Sequence, residues 1–131
     1  MSWQAGYEES LSKLEALTEI ATTRASAMQG ANARLGGVRI ESWSPQRDVK
    51  VVIDSTGLIQ DVEFTEAATR SSPLALNRGL MRAHDDALRA LAAQVEEIAA
   101  DELADSPELR ESLQSTYRNG LPQRVFDDAS E

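Results

Sequence analysis

An α+β fold is the class this sequence of 131 residues predicts. Three observations lead there. Apolar residues recur at helical spacing near both ends of the chain, they alternate at period two in the middle, and the alternating runs are joined by short turns. The expected order is a long helix, a three-stranded antiparallel meander, a second long helix and a short C-terminal helix.

The first helix is expected over about 7–35. Tyr7, Leu11, Leu14, Leu17, Ala21, Ala25, Met28 and Leu35 form one apolar stripe. Lys13, Glu15 and Glu19 flank it, and Gly30 weakens it locally by roughly 1 kcal/mol relative to Ala. Gly36-Gly37 ends it. Such a helix is on the order of 40 Å long. The rest of so short a chain cannot cover that length, so a partner surface is expected.

The period then changes. Val38, Ile40 and Ser42 alternate with Arg39, Glu41 and Trp43, which predicts a first strand. Ser44-Pro45-Gln46-Arg47-Asp48 is a turn, and Val49 to Asp54 is a β-branched second strand. Ser55-Thr56-Gly57 turns into a third strand, Leu58 to Phe64. Thr65 to Ser72 reads as a loop. Ser72 then caps a helix whose first residue is Pro73. Leu80, His84, Ala87, Leu91, Val95 and Ile98 carry that helix to about Leu103. Ser106-Pro107 repeats the cap signal and starts a third helix over roughly 107–118, stopped by Asn119-Gly120-Leu121-Pro122. The last residues, ending Asp127-Asp128-Ala129-Ser130-Glu131, read as a frayed tail. A three-stranded sheet leaves two edges and one face open, and pairing two sheets in a dimer would cover that surface.

Composition narrows the function. Cysteine is absent, so there is no disulfide frame, thiolate metal site or Cys nucleophile. Residues 1–20 carry four glutamates without an apolar core, and no apolar run approaches the roughly 20 residues of a membrane span. The chain therefore reads as soluble and cytoplasmic. The net charge of −9 argues against coating nucleic acid through bulk charge. That charge is uneven. Residues 95–131 hold three basic groups against ten acidic ones, whereas residues 67–94 hold four arginines against Asp85 and Asp86.

Within that basic segment Arg78, Arg82 and Arg89 are spaced by four and seven and share a helix face. Guanidinium groups so placed can engage phosphates. Arg24 and Arg34 on the first helix are the next candidates. The competing reading is ordinary helix ion pairs, Arg82 with Asp85 or Asp86 and Asp85 with Arg89. His84, the single histidine, falls on the apolar stripe and reads as a core or interface residue. Trp43 lies on the face opposite Val38 and Ile40, a position that suits an interface or a partly buried edge. Asp85 and Asp86 diverge by about 100° on their helix, so they form no acid–base pair. No phosphate loop surrounds Gly36-Gly37. No enzyme, cofactor or metal site is expected.

Gly37 to about Ala92 also carries a resemblance. Trp43-Ser44-Pro45, then Val49, Val51 and Ile53, then Asp54-Ser55-Thr56-Gly57-Leu58-Ile59-Gln60-Asp61-Val62 with Phe64, and finally Ala83-His84-Asp85-Asp86-Ala87 resemble the YbaB/EbfC family of bacterial nucleoid-associated proteins. With the preceding helix the likeness spans roughly 7–100. Its wealth of Ala and Arg with little Lys resembles an actinobacterial version. The resemblance implies a homodimer built by joining the small sheets, with helices projecting like tweezer arms, and DNA binding of little sequence preference in the nucleoid. Trp43, Val49, Val51, Ile53 and His84 are then the dimer-interface candidates. Residues 1–105 would be the family domain, and 106–131 a short acidic helix and tail that typical members lack. The alternative is a cytoplasmic protein-binding adaptor or chaperone with the same fold, associated with type VII secretion and without DNA binding.

Overall fold

The fold was analysed in a computed structural model, which describes residues 2–127. Helix α1 spans Ser2–Gly36, strands β1, β2 and β3 span Arg39–Trp43, Val49–Asp54 and Ile59–Phe64, helix α2 spans Pro73–Glu102, and helix α3 spans Pro107–Gly120. The architecture is the expected α+β one, with two long helices, a three-stranded antiparallel sheet in the order β1-β2-β3 and a short last helix. Two details differ from expectation. The stretch read as a loop contains a 3-10 turn, Glu66–Arg70, too short to show any apolar period. Helix α1 starts near the N-terminus rather than at Tyr7. Most of the expected tail, residues 128–131, lies outside the described residues.

The helix signals act as written at one place and not at the other. Ser72 accepts a hydrogen bond from the Ala75 amide through its side chain, with Pro73 in the first turn of α2. Ser106 precedes Pro107 in the same way, but its hydroxyl makes no capping bond.

The core lies between α2 and the sheet. Ala83, Ala87, Leu88, Leu91, Val95, Ile98 and Ala99 form the buried face of α2. Beneath them β2 alternates strictly, with Val49, Val51 and Ile53 fully buried. Ile40 on β1, Ala31 and Leu35 at the end of α1, and Leu121 and Val125 after α3 complete the cluster. Helix α2 lies over β1 and β2 rather than β3. The inward face of β3 is consequently left uncovered. Phe64 pairs with Val49, Val62 with Val51 and Ile59 with Ile53 across a bulge, so all three share the core face. Phe64 nevertheless remains 56% exposed and Ile59 43%. The outer face of the sheet is polar. Lys50 there reaches Glu63 at 3.3 Å and Glu41 at 3.6 Å, and the Glu63 hydrogen bond raises the pKa of the Lys50 ammonium. The open apolar surface is therefore the inner side of an edge strand, not the second face of the sheet.

Helix α3 is packed against the rest of the fold. Leu109, Leu113 and Tyr117 lie against the core, and the Tyr117 hydroxyl donates to the Ser55 carbonyl at 2.6 Å. Gly57 in the same β2–β3 turn has φ +87°, and a Cβ there would press on Leu88 and Leu121 at 3.1 and 3.3 Å. Tyr117→Phe removes one bond to a half-buried carbonyl. It is expected to lower unfolding free energy by about 1 kcal/mol, read as a shift of the urea midpoint at unchanged slope. Among the described residues no helix is long and apolar enough to cross a membrane.

Candidate nucleic-acid interface

The β1–β2 turn forms one wall of a groove. Pro45 and Gln46 lead to Arg47, which adopts φ 57°, a left-handed conformation uncommon for a side chain of its size. The Arg47 guanidinium stacks 4.5 Å over the Trp43 ring, and Lys50 lies 5.9 Å from the same ring. Trp43 is thus half-buried on the outer face, as its strand position predicts, with cations over its ring.

A buried hydrogen-bond network fixes this wall. The Ser44 hydroxyl donates to the Asp48 carboxylate and accepts from the Asp48 and Val49 amides at 3.1 Å each. The Ser71 hydroxyl, from the segment after the 3-10 turn, donates to the other Asp48 oxygen at 2.9 Å. These hydroxyl donors, Ser44 first and Ser71 second, lower the Asp48 pKa against the opposing effect of desolvation. Helix α2 comes close at Gly79, where a Cβ would lie 3.2 Å from the Ser44 Cβ. Because the folded pKa of Asp48 is below its unfolded value near 3.9, its stabilising effect is complete above that value and is lost as pH falls through the folded pKa. Asp48→Asn is therefore expected to lower the urea midpoint at pH 7, and to flatten the loss of stability in acid, in a series of unfolding curves from pH 7 to 2.

The opposite wall is the first half of α2. Arg78 and Arg82 line the groove with Arg70, Ser71, Ser72, Ala75 and Gly79, enclosing about 600 Å³ with Pro45 and Gln46. Among the described residues neither Arg70 nor Arg78 forms an ion pair, and Arg82 reaches Asp86 only at 3.9 Å. Three guanidinium groups therefore converge on a solvent-filled concavity. Such an arrangement can hold a phosphodiester, with one polar amide, Gln46, in reach of anything beyond it.

The other expected phosphate contacts fall elsewhere. Arg89 shares the helix face but is half-buried, and its Nη1 donates to Asp86 at 3.1 Å. Arg24 is bound to Glu108 at 3.2 Å. Arg34 is bound to Asp101 at 3.1 Å and Glu102 at 3.2 Å. These pairs bring α1 cations onto the acidic end of α2 and the start of α3, which fixes the base of α1 and occupies the charge. Arg70 is the groove residue that spacing alone does not reveal. It belongs to no helix stripe, and only its place in the basic segment points to it. Asp85 pairs with neither Arg82 nor Arg89. Arg124 grips it through two nitrogens at 2.9 and 3.1 Å, which lowers its pKa.

The expected interface set is also redistributed. Val49, Val51 and Ile53 are fully buried under their own α2 and have no surface left for a partner. His84 places Nε2 3.4 Å from the Gly57 carbonyl oxygen, so it serves the β2–β3 turn of its own chain. Among the described residues no cluster of His, Asp and Glu could hold a metal ion.

Residues 11–105 match the YbaB/EbfC DNA-binding family, and the chain belongs to that family. No curated protein matches it. The family is non-catalytic, and this chain is not an enzyme.

Proposed function

We propose that this chain, as a member of the YbaB/EbfC DNA-binding family, acts in the nucleoid as a cytoplasmic homodimer that holds duplex DNA by its phosphates with little sequence preference. The observation that carries this reading is the convergence of Arg70, Arg78 and Arg82 on one groove within an otherwise acidic chain. Arginines on phosphates give affinity and register but read no bases, and Gln46 alone adds an amide that could touch a base edge. Residues 1–105 are the domain that does this, and 106–131 follow it as an acidic addition.

The homodimer forms, in this reading, by joining sheets along β3. That strand is an edge whose backbone is free on one side, and Ile59 and Phe64 leave its inner surface apolar. A second copy pairing there would continue the sheet, cover both residues and carry two arginine grooves. Val49, Val51 and Ile53 support the join from the neighbouring strand, and Trp43 lies on the far side of the sheet.

A gel shift with random-sequence duplex at about 50 mM salt tests the function. Retarded DNA, equal for unrelated sequences, is the expected result. The second reading, an adaptor or chaperone associated with type VII secretion, is favoured by the acidic α3 region and the exposed apolar α1. A pull-down from nuclease-treated lysate separates them, since a protein partner survives nuclease and DNA does not.

A further inference from the structure

We infer that the free part of α1 pairs, antiparallel and symmetric about Leu14, with the same segment of a second copy, and that this contact links one dimer to the next. The second half of the statement rests on the sheet-joined dimer proposed above. The helix pairing itself does not.

Helix α1 is 35 residues long, about 52 Å at 1.5 Å per residue. Only its C-terminal end packs on the fold, through Ala27, Met28, Ala31 and Leu35. Residues 3–26 are exposed throughout. Along them Trp3, Tyr7, Leu11, Leu14 and Leu17 step by four, four, three and three, the spacing of a two-helix seam. Trp3 is 73% exposed and Leu14 59%. With Ile20, these side chains leave on the order of 700 Å² of surface open, above the roughly 300–600 Å² of the largest patch on a typical monomer and close to the ~800 Å² each partner gives to a stable interface.

The order of sizes along the seam selects the occupant. Bulky aromatics lie at its start, leucines in the middle, and Ala21 and Ala25 at its end. Two copies set antiparallel with Leu14 on Leu14 bring Leu11 level with Leu17, Tyr7 with Ala21, and Trp3 with Ala25. Every layer then matches large with small, which is what dense packing requires. A parallel pair would stack Trp on Trp and Ala on Ala, crowding one end and leaving voids at the other. Each exposed segment also carries Glu8, Glu9, Glu15 and Glu19 against Lys13. Like charge opposes the pairing, so it is weaker than the sheet join and strengthens as salt rises.

The chain has no cysteine, so single thiols can be placed without background. Under mild oxidation Leu14→Cys is expected to crosslink at least severalfold more than Ser12→Cys, which lies off the seam. A mixture of Leu11→Cys and Leu17→Cys is expected to crosslink more than either alone. Crosslinking of Leu14→Cys should persist with Phe64→Lys added, and in the otherwise native chain the linked species should sediment above two chains. Leu14→Cys no better than Ser12→Cys would overturn the pairing, even with the sheet-joined dimer intact. Leu11→Cys alone matching the mixture would mean a parallel seam. A crosslinked species of only two chains in the native background would overturn the linking of dimers.

Discussion

Arg78→Glu with Arg82→Glu is expected to lower affinity for duplex DNA by about 10²–10³-fold at about 50 mM salt. The two residues lie one helical turn apart on α2 and line the same groove as Arg70. Both are exposed, and their only ion pair is the 3.9 Å approach of Arg82 to Asp86. Reversing their charge should change stability by no more than about 0.5 kcal/mol. A fall in binding without a fall in the urea midpoint would therefore report lost phosphate contacts. The slope of log affinity against log salt should shrink by about 1 for each arginine lost per protomer. Arg24→Ala and Arg34→Ala provide the contrast. Both arginines already hold carboxylates of their own chain, so removing them should leave the salt slope unchanged.

The second large effect concerns assembly. Ile59→Lys with Phe64→Lys is expected to halve the sedimenting mass, from about twice 14.3 kDa to a single chain, at low micromolar concentration and moderate salt. Both side chains point to the inner side of β3, where α2 does not reach, and both are substantially exposed in the single chain. Charge at an edge strand is a general barrier to edge-to-edge pairing. Folding should survive, because neither side chain belongs to the buried cluster. Val51→Lys would be a poor test of the same idea. Val51 is fully buried beneath α2, so the variant would unfold and a lost dimer would mean nothing.

Much of the fold was legible because its signals are local. Ser44-Pro45 and Ser55-Thr56-Gly57 mark turns in their own residues, and the limits of β2 follow from its β-branched run. Ser72-Pro73 marks the start of α2, and the hydroxyl makes the bond its position suggests. The same pair of residue types at Ser106-Pro107 starts a helix without that bond, because φ −133° and ψ 76° at Ser106 do not bring its side chain to the first-turn amides.

The site was legible only in part. Helix spacing put Arg78, Arg82 and Arg89 on one face, and the chain uses the first two with Arg70 instead of the third. What separates them is where the β1–β2 turn meets α2, at Gly79, which is a tertiary fact. The partners of Arg24, Arg34 and Arg124 lie 39 to 84 residues away in sequence, beyond any helix-pair rule. The uncovered inner side of β3 was hidden for a similar reason. Its apolar residues follow a strand pattern, and only the path of α2 over β1 and β2 shows that they go uncovered.

A salt titration of the intact protein with a fluorescent random-sequence duplex tests the central claim most directly. Three arginines per protomer give about six phosphate contacts in a dimer, so log affinity should fall with a slope near −5 against log salt. Between about 50 and 200 mM salt the affinity should drop by about 10³-fold. No binding at low salt, or binding that salt leaves unchanged, would contradict a phosphate grip in the Arg70, Arg78 and Arg82 groove.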